Sequence, residues 1–234
     1  MTGAKRKPQL PQYDFKAIGI AHTPFTQRFG IPRQPGLVPE AKGILKMDPH
    51  PDFQFALKGL EQFSHIWVIF VFHSHGGNKW KPTIRPPRLG GKAKVGVLSS
   101  RSPHRPNPIG LSVVELEQID FKAKGGPEIH VKGVDLMDGT PILDVKPYIP
   151  YADSVPHANP GWAKEEIGRT PVEFEPLAIE KIEEAEKEHP KNLPQHHHWS
   201  CQASRRILDL LFQLHFEQFL IQIARIDFLD CLVH

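Results

Sequence analysis

Between residues 65 and 145 the chain holds five short apolar runs parted by Gly and Pro turns, and no helical pattern of about 10 to 15 residues lies between any two of them. Parallel neighbours need a crossover of about a dozen residues or more, usually a helix, so these strands must pair antiparallel. A doubly wound α/β sheet is disfavoured, and an antiparallel barrel or sandwich remains, giving a mainly β chain. The runs are residues 65–73, 94–99, 110–120, 128–134 and 142–145. The first, His65-Ile-Trp-Val-Ile-Phe-Val-Phe-His73, has a wholly apolar interior and reads as a strand buried on both faces. In the third, Leu111 and Val113, then Val114 and Leu116, alternate with a slip that fits a β-bulge.

Upstream, Phe15, Ala17, Gly19 and Ala21 alternate with Lys16, Ile18 and Ile20 as in a half-buried strand, so structure is expected to begin near Tyr13. Residues 1–12, basic and Pro-rich, read as a disordered lead-in. Phe53, Ala56, Leu57, Leu60 and Phe63 recur at helical spacing, which predicts a short helix before Ser64. Residues 13–150 are therefore expected to form the β domain, 151–163 a linker, and 164–234 a small α-containing C-terminal region. In that last region residues 176–189 look helical up to Pro190, and the end after about residue 190 reads as divergent or frame-disrupted. The apolar tail of residues 207–233 is interrupted by Asp209, Glu217, Arg225, Asp227 and Asp230, which speaks against a membrane span. Cys201 and Cys231 are the only cysteines and no apolar leader opens the chain, a usage that suits the cytoplasm.

Charge is segregated. Residues 62–114 contain no Asp or Glu, where the chain average would put about six, yet they carry Lys79, Lys81, Arg85, Arg88, Lys92, Lys94, Arg101 and Arg105. Nine Glu between Glu165 and Glu188 offset them, leaving a formal net charge of only +3. A pooled basic surface suits a polyanion such as nucleic acid, with a solvated basic face as the plainer alternative.

Four segments can carry chemistry. In Gly30-Ile-Pro-Arg-Gln-Pro-Gly36 two prolines hold an Arg and a Gln with little ordering entropy left to lose. Phe72-His73-Ser74-His75 places a histidine where the long apolar strand emerges, able to serve as donor or base. His73 and His75 would share a strand face, but no third ligand stands at metal spacing, so no metal is expected. In Arg101-Ser-Pro-His-Arg-Pro-Asn-Pro-Ile-Gly110 three prolines aim Arg101, Arg105 and Asn107 in fixed directions. Asp135-Leu-Met-Asp138-Gly-Thr-Pro141 contains a turn signal that explains Gly139 and Pro141 but not its aspartates. Dinucleotide, phosphate-loop, nucleophile-elbow and zinc-protease motifs are all absent.

These segments, with Gly59-Leu-Glu-Gln-Phe-Ser-His-Ile-Trp67 and Arg85-Pro-Pro-Arg-Leu-Gly-Gly91, resemble in order the TrmO (YaeB/TsaA-like) family of S-adenosylmethionine-dependent tRNA methyltransferases over most of residues 15–150. The resemblance implies a β-barrel core, a homodimer, and methylation of N6-threonylcarbamoyladenosine beside the tRNA anticodon. It implies that S-adenosylmethionine is contacted by Pro32, Arg33, Gln34, His73, Ser74, Arg101, Leu111, Asp135, Leu136, Met137 and Asp138. The aspartates suit the cationic, hydroxyl-bearing cofactor. Lys79, Lys81, Arg85, Arg88, Lys92, Lys94 and Arg105 are then left for the phosphates of the anticodon loop. His73 or Asp138 is the expected base at the acceptor nitrogen. The family's C-terminal Asp-Pro-Arg-x-x-Tyr has no counterpart here, the one Asp-Pro being Asp48-Pro49. The rival reading is a non-catalytic nucleotide- or RNA-binding module that keeps the barrel.

Overall fold

A computed structural model describes residues 10–28, 30–75, 79–164 and 176–177. All but the first two residues of the helix expected at 176–189, His196 to His198, both cysteines, the apolar tail and most of the lead-in lie outside the described residues.

The described chain runs through strands β1 (Gly19–His22) and β2 (Lys42–Met47), helix α1 (Asp52–Ala56), and strands β3 (His65–Val71), β4 (Thr83–Ile84), β5 (Val95–Gly96), β6 (Ile109–Asp120), β7 (Glu128–Lys132) and β8 (Thr140–Pro147), ending in α2 (Pro150–Asp153). Six strands close a barrel in the order β1-β2-β7-β6-β3-β8, every neighbouring pair antiparallel. The expected antiparallel barrel is thus found. Its interior is filled by Ala21, Leu45, Met47, Ile66, Val68, Val114, Ile129, Val131 and Ile142, all buried. Each fully buried Leu, Ile or Val stabilises the fold by roughly 1.5–3 kcal/mol. Among the described residues no helix is long and apolar enough to cross a membrane.

Several local expectations change. β3 is not equally buried on both faces: Ile66, Val68 and Phe70 point inward, while Trp67, Ile69 and Val71 are half-buried on the outside. The outer side is apolar because it is used. The Trp67 indole donates to Asp153 Oδ2 (3.1 Å) and stacks obliquely on Tyr148, and Val71 faces a cavity. In β6 the inward positions are Gly110, Ser112, Val114 and Leu116 without a slip. The bulge comes further along, three residues past Val114, at Glu117 opposite β7, where Leu116 pairs with Val131 and Gln118 with His130. That extra residue reaches Lys132 (2.9 Å) and Lys42 (3.2 Å) on the barrel surface.

The run at 94–99 gives only the two-residue β5, paired with β4 in a separate ribbon, followed by a 3-10 turn at Val97–Ser99. Val97 alone anchors it, buried and donating its N–H to Pro82 O (3.0 Å). The helix before Ser64 is broken into α1 and a 3-10 turn, Leu60–Gln62, because Gly59 sits at φ 92°, where a helix cannot continue. β1 begins only at Gly19, with Tyr13 and Phe15 exposed. His73 to His75 form a turn beyond the end of β3 rather than a strand face.

The loop between β1 and β2 is strapped to the loop before β8. Thr23 N donates to Asp138 Oδ1 (3.0 Å), Thr23 Oγ1 to Leu136 O (2.8 Å) and Gly36 N to Gly133 O (2.9 Å), while Phe25 and Val38 are buried beneath. This carries residues 30–36 to the barrel end where β3 stops and β6 starts.

Candidate functional site

At that end Val71 pairs with Ile109 and Phe70 with Gly110. A side chain on Gly110 would put its Cβ 2.2 Å from the Phe70 ring, so only glycine lets the ring cross β6. Phe70 then meets Phe72 edge-to-face, ring centres 5.2 Å apart, and these rings help to wall a cavity of about 620 Å³. Small-molecule sites run from about 300 to 1,000 Å³ and combine apolar walls with a few convergent polar groups.

The polar groups come from four loops. Pro32, Arg33 and Gln34 enter from the β1–β2 loop, His73 and Ser74 from the end of β3, Arg101 from the proline-rich loop, and Asp135, Leu136 and Met137 from the loop before β8, with Leu111 of β6 beside them. Ten of the residues expected at the cofactor are therefore gathered around one space. The eleventh, Asp138, does not line it. Its Oδ1 accepts the Thr23 N–H and stands 3.5 Å from His22 Nδ1, so it fastens the loop strap instead.

Among the described residues Asp135 is the one carboxylate lining the cavity. Its Oδ1 accepts a 2.6 Å hydrogen bond from Ser112, whose side chain is buried at 1% exposure inside the barrel. Burial pushes the carboxyl up to about 6, against the Ser112 hydroxyl, a backbone N–H and the Arg101 charge, which all favour ionisation. A carboxylate that is costly to ionise alone is relieved by a cation placed against it. Arg101 Nη1 also donates to Gln34 Oε1, closing the first and third loops over the cavity.

A second and larger cleft, about 1140 Å³, lies on the other side of that clasp. Among the described residues Lys81, Arg85, Arg88 and Lys94 line it and no carboxylate does, while Arg33, Gln34, Ser100 and Arg101 belong to both spaces. Lys79 and Lys92 are exposed but line neither space. Arg105 turns to the smaller cavity and donates to Ser100 O (3.3 Å). His104 stands between, its ring 6.0 Å from that of His75; burial, then Lys81, His75 and Arg28, hold it below the usual histidine range. Among the described residues no three His, Cys, Asp or Glu side chains are grouped so as to hold a metal.

Sequence reasoning passed over Trp67, Phe70, Phe72 and Ser112, because apolar strand residues read as core and a lone serine reads as outward. It also passed over Trp162, whose Nε1 donates to Ser99 O (3.0 Å) and which closes one side of the larger cleft. The signal for Ser112 was a hydroxyl amid Gly-Leu-Ser-Val-Val, one strand position from Leu111.

Known proteins match this arrangement. The model of the tRNA-methyltransferase O N-terminal domain matches residues 20–154, which include the barrel from the second residue of β1 to the end of β8. The tRNA (adenine(37)-N6)-methyltransferase of Escherichia coli is 44% identical over 155 residues, covering 66% of this chain and 66% of that protein. A putative S-adenosylmethionine-dependent methyltransferase of Pseudomonas aeruginosa is 46% identical over 147 residues, 63% of this chain and 59% of that one. This chain thus spans less than two thirds of the length of these relatives. The crystal structure of TrmO from Pseudomonas aeruginosa superposes with a TM-score of 0.65 at 36% identity, covering 86% of this chain and 82% of that chain. With a matching family model over most of its length, an antiparallel barrel and a four-loop cavity at the barrel end, the chain belongs to the family of the tRNA-methyltransferase O N-terminal domain.

Proposed function

We propose that this chain is an S-adenosylmethionine-dependent methyltransferase acting on N6-threonylcarbamoyladenosine next to the anticodon of tRNA. The observation that carries the reading is a pair of adjoining spaces that share Arg33, Gln34, Ser100 and Arg101 and differ in one carboxylate. Among the described residues the smaller holds one carboxylate, the half-buried Asp135, among Arg28, Arg33, Arg101 and Arg105, and the larger is lined by Lys81, Arg85, Arg88 and Lys94 with no carboxylate. When bound, the cofactor supplies a methyl group activated by a sulfonium charge.

The fit to such a cofactor rests on Asp135, whose burial leaves a carboxylate in want of a cation, and on the aromatic and proline walls beside it. Pro32, Arg33, Gln34, Ser74, Arg101, Leu111, Leu136 and Met137 complete the holding set. Arg33 and Arg101 stand where the two spaces meet and suit the carboxylate of a threonyl group. His73 lines the cavity where Asp138 does not, so we assign to His73 the proton released by the acceptor nitrogen. Lys81, Arg85, Arg88 and Lys94 hold anticodon-loop phosphates, and unpaired loop bases enter the cavity without melting a helix. Two copies of the chain form the working unit, in the cytoplasm.

Mass spectrometry of the modified adenosine in tRNA incubated with cofactor, with and without the protein, tests the reading. A methylated product only in the presence of protein is expected. Cofactor binding without any turnover on threonylcarbamoylated tRNA would instead make the chain a binding module. Arg101→Ala is expected to abolish cofactor binding in calorimetry, and retained binding would refute the cofactor assignment.

A further inference from the structure

Residues 160–163 sit beyond the barrel, yet Pro160, Trp162 and Ala163 wall the larger cleft. Trp162 is held there by one edge. Its indole N–H donates to the carbonyl of Ser99 at 3.0 Å, while the residue stays 38% exposed. Leu98, in the 3-10 turn behind it, is 72% exposed and lines the same cleft. An indole fastened through its nitrogen, beside a bare leucine and within a rim of Lys81, Arg85, Arg88 and Lys94, combines an apolar surface with phosphate-binding charge.

We propose that Trp162 is a stacking platform for an unpaired base of single-stranded RNA, and that residues 160–163 and the 97–99 turn together form a nucleotide subsite beside the smaller cavity. The proposal rests on the tRNA reading above and deepens it. Non-specific grooves for single strands pair a cationic track with aromatic faces on which bases lie, and this cleft has both. Its occupant is a nucleic acid strand rather than a protein because, among the described residues, every charged lining side chain is cationic. The strand is single because a duplex hides its base faces from an aromatic ring. Arg33, Gln34, Ser100 and Arg101 border both spaces, so a strand with one nucleotide in the smaller cavity lays its neighbour against Trp162.

The test is fluorescence anisotropy with the full chain and a labelled anticodon stem–loop RNA, beside calorimetric titration of S-adenosylmethionine. Trp162→Ala is expected to weaken RNA binding by about 10-fold, the usual loss for one stacked base, with cofactor affinity unchanged. Trp162→Phe keeps an aromatic face but cannot donate to Ser99, and is expected to stay within about 3-fold of the natural protein. Equal losses in both variants would overturn the proposal, since they would make the hydrogen bond the whole role of Trp162. Undiminished RNA binding by Trp162→Ala, or loss of cofactor affinity along with it, would overturn it as well. If the natural protein binds no RNA, the tRNA reading falls too; if it binds and Trp162→Ala binds equally, only the stacking subsite falls.

Discussion

Ser112→Ala removes one hydroxyl from the barrel interior and leaves Asp135 Oδ1 without its 2.6 Å donor. A hydrogen bond to a charged group contributes about 1.5 kcal/mol or more, which is about one pKa unit. Burial has already pushed Asp135 up to about 6, so the variant carboxyl should titrate near 7. A sulfonium cation binds the ionised form, so affinity is full above this pKa and is lost as pH falls through it. The ionised fractions then predict a cofactor dissociation constant raised about 2-fold at pH 7 and about 5-fold at pH 6, converging with the natural protein by about pH 8.5. Isothermal titration calorimetry across that range reads the effect. S-adenosylhomocysteine, which carries no sulfonium charge, is the control and should not show the displaced break. The other charged or titratable groups lining the cavity, among the described residues, are Arg28, Arg33, Arg101, Arg105, His73 and His75, and the substitution leaves all of them in place. If the midpoint is the same in both proteins, or S-adenosylhomocysteine shows the same displacement, the reasoning from the buried pair is refuted.

Asp135→Asn should remove cofactor binding yet stabilise the protein. The folded carboxyl titrates at about 6 against 3.8 for the free group, so its burial costs nothing below pH 3.8, costs progressively more up to pH 6, and costs about 3 kcal/mol above it. Thermal melts at pH 8 should rise by several degrees in the variant and converge with the natural protein near pH 4; a lower melting temperature at pH 8 would refute this. Gly110→Ala forces a Cβ against the Phe70 ring and should cost about 1–3 kcal/mol in urea denaturation, with cofactor affinity falling as the ring is displaced into the cavity. Lys81→Ala should lower the slope of log affinity for RNA against log salt by about one, without altering preference between loop sequences; an unchanged slope would remove Lys81 from the phosphate track.

The antiparallel sheet was legible because an absence constrained it: without helices between the runs a barrel or a sandwich remained, and the family resemblance chose the barrel. The site was legible where proline had stiffened a loop, as around Gln34 and Arg101. β2 escaped notice because Gly43 takes an inward position and lysines stand at Lys42 and Lys46, blurring the alternation. β6 was read out of phase at its start for a related reason. Leu111 is 51% exposed at the cavity and Ser112 is buried, an inversion of the polarity rule that only a partner such as Asp135 can pay for. Two aspartates three residues apart in one turn looked alike in sequence. Only the path of the β1–β2 loop decided that Asp135 turns inward and Asp138 holds a strap.

The hydrogen bond between Arg101 and Gln34 is the partition between the two chambers, and both residues face each of them. A molecule that draws the guanidinium to one side withdraws it from the other. Occupancy of the two chambers is then linked, and by reciprocity whatever factor one ligand imposes on its neighbour is returned in full. Gln34→Glu, by holding Arg101 more firmly at the partition, would alter both affinities together, so the coupling between two ligands rests on a single side-chain contact.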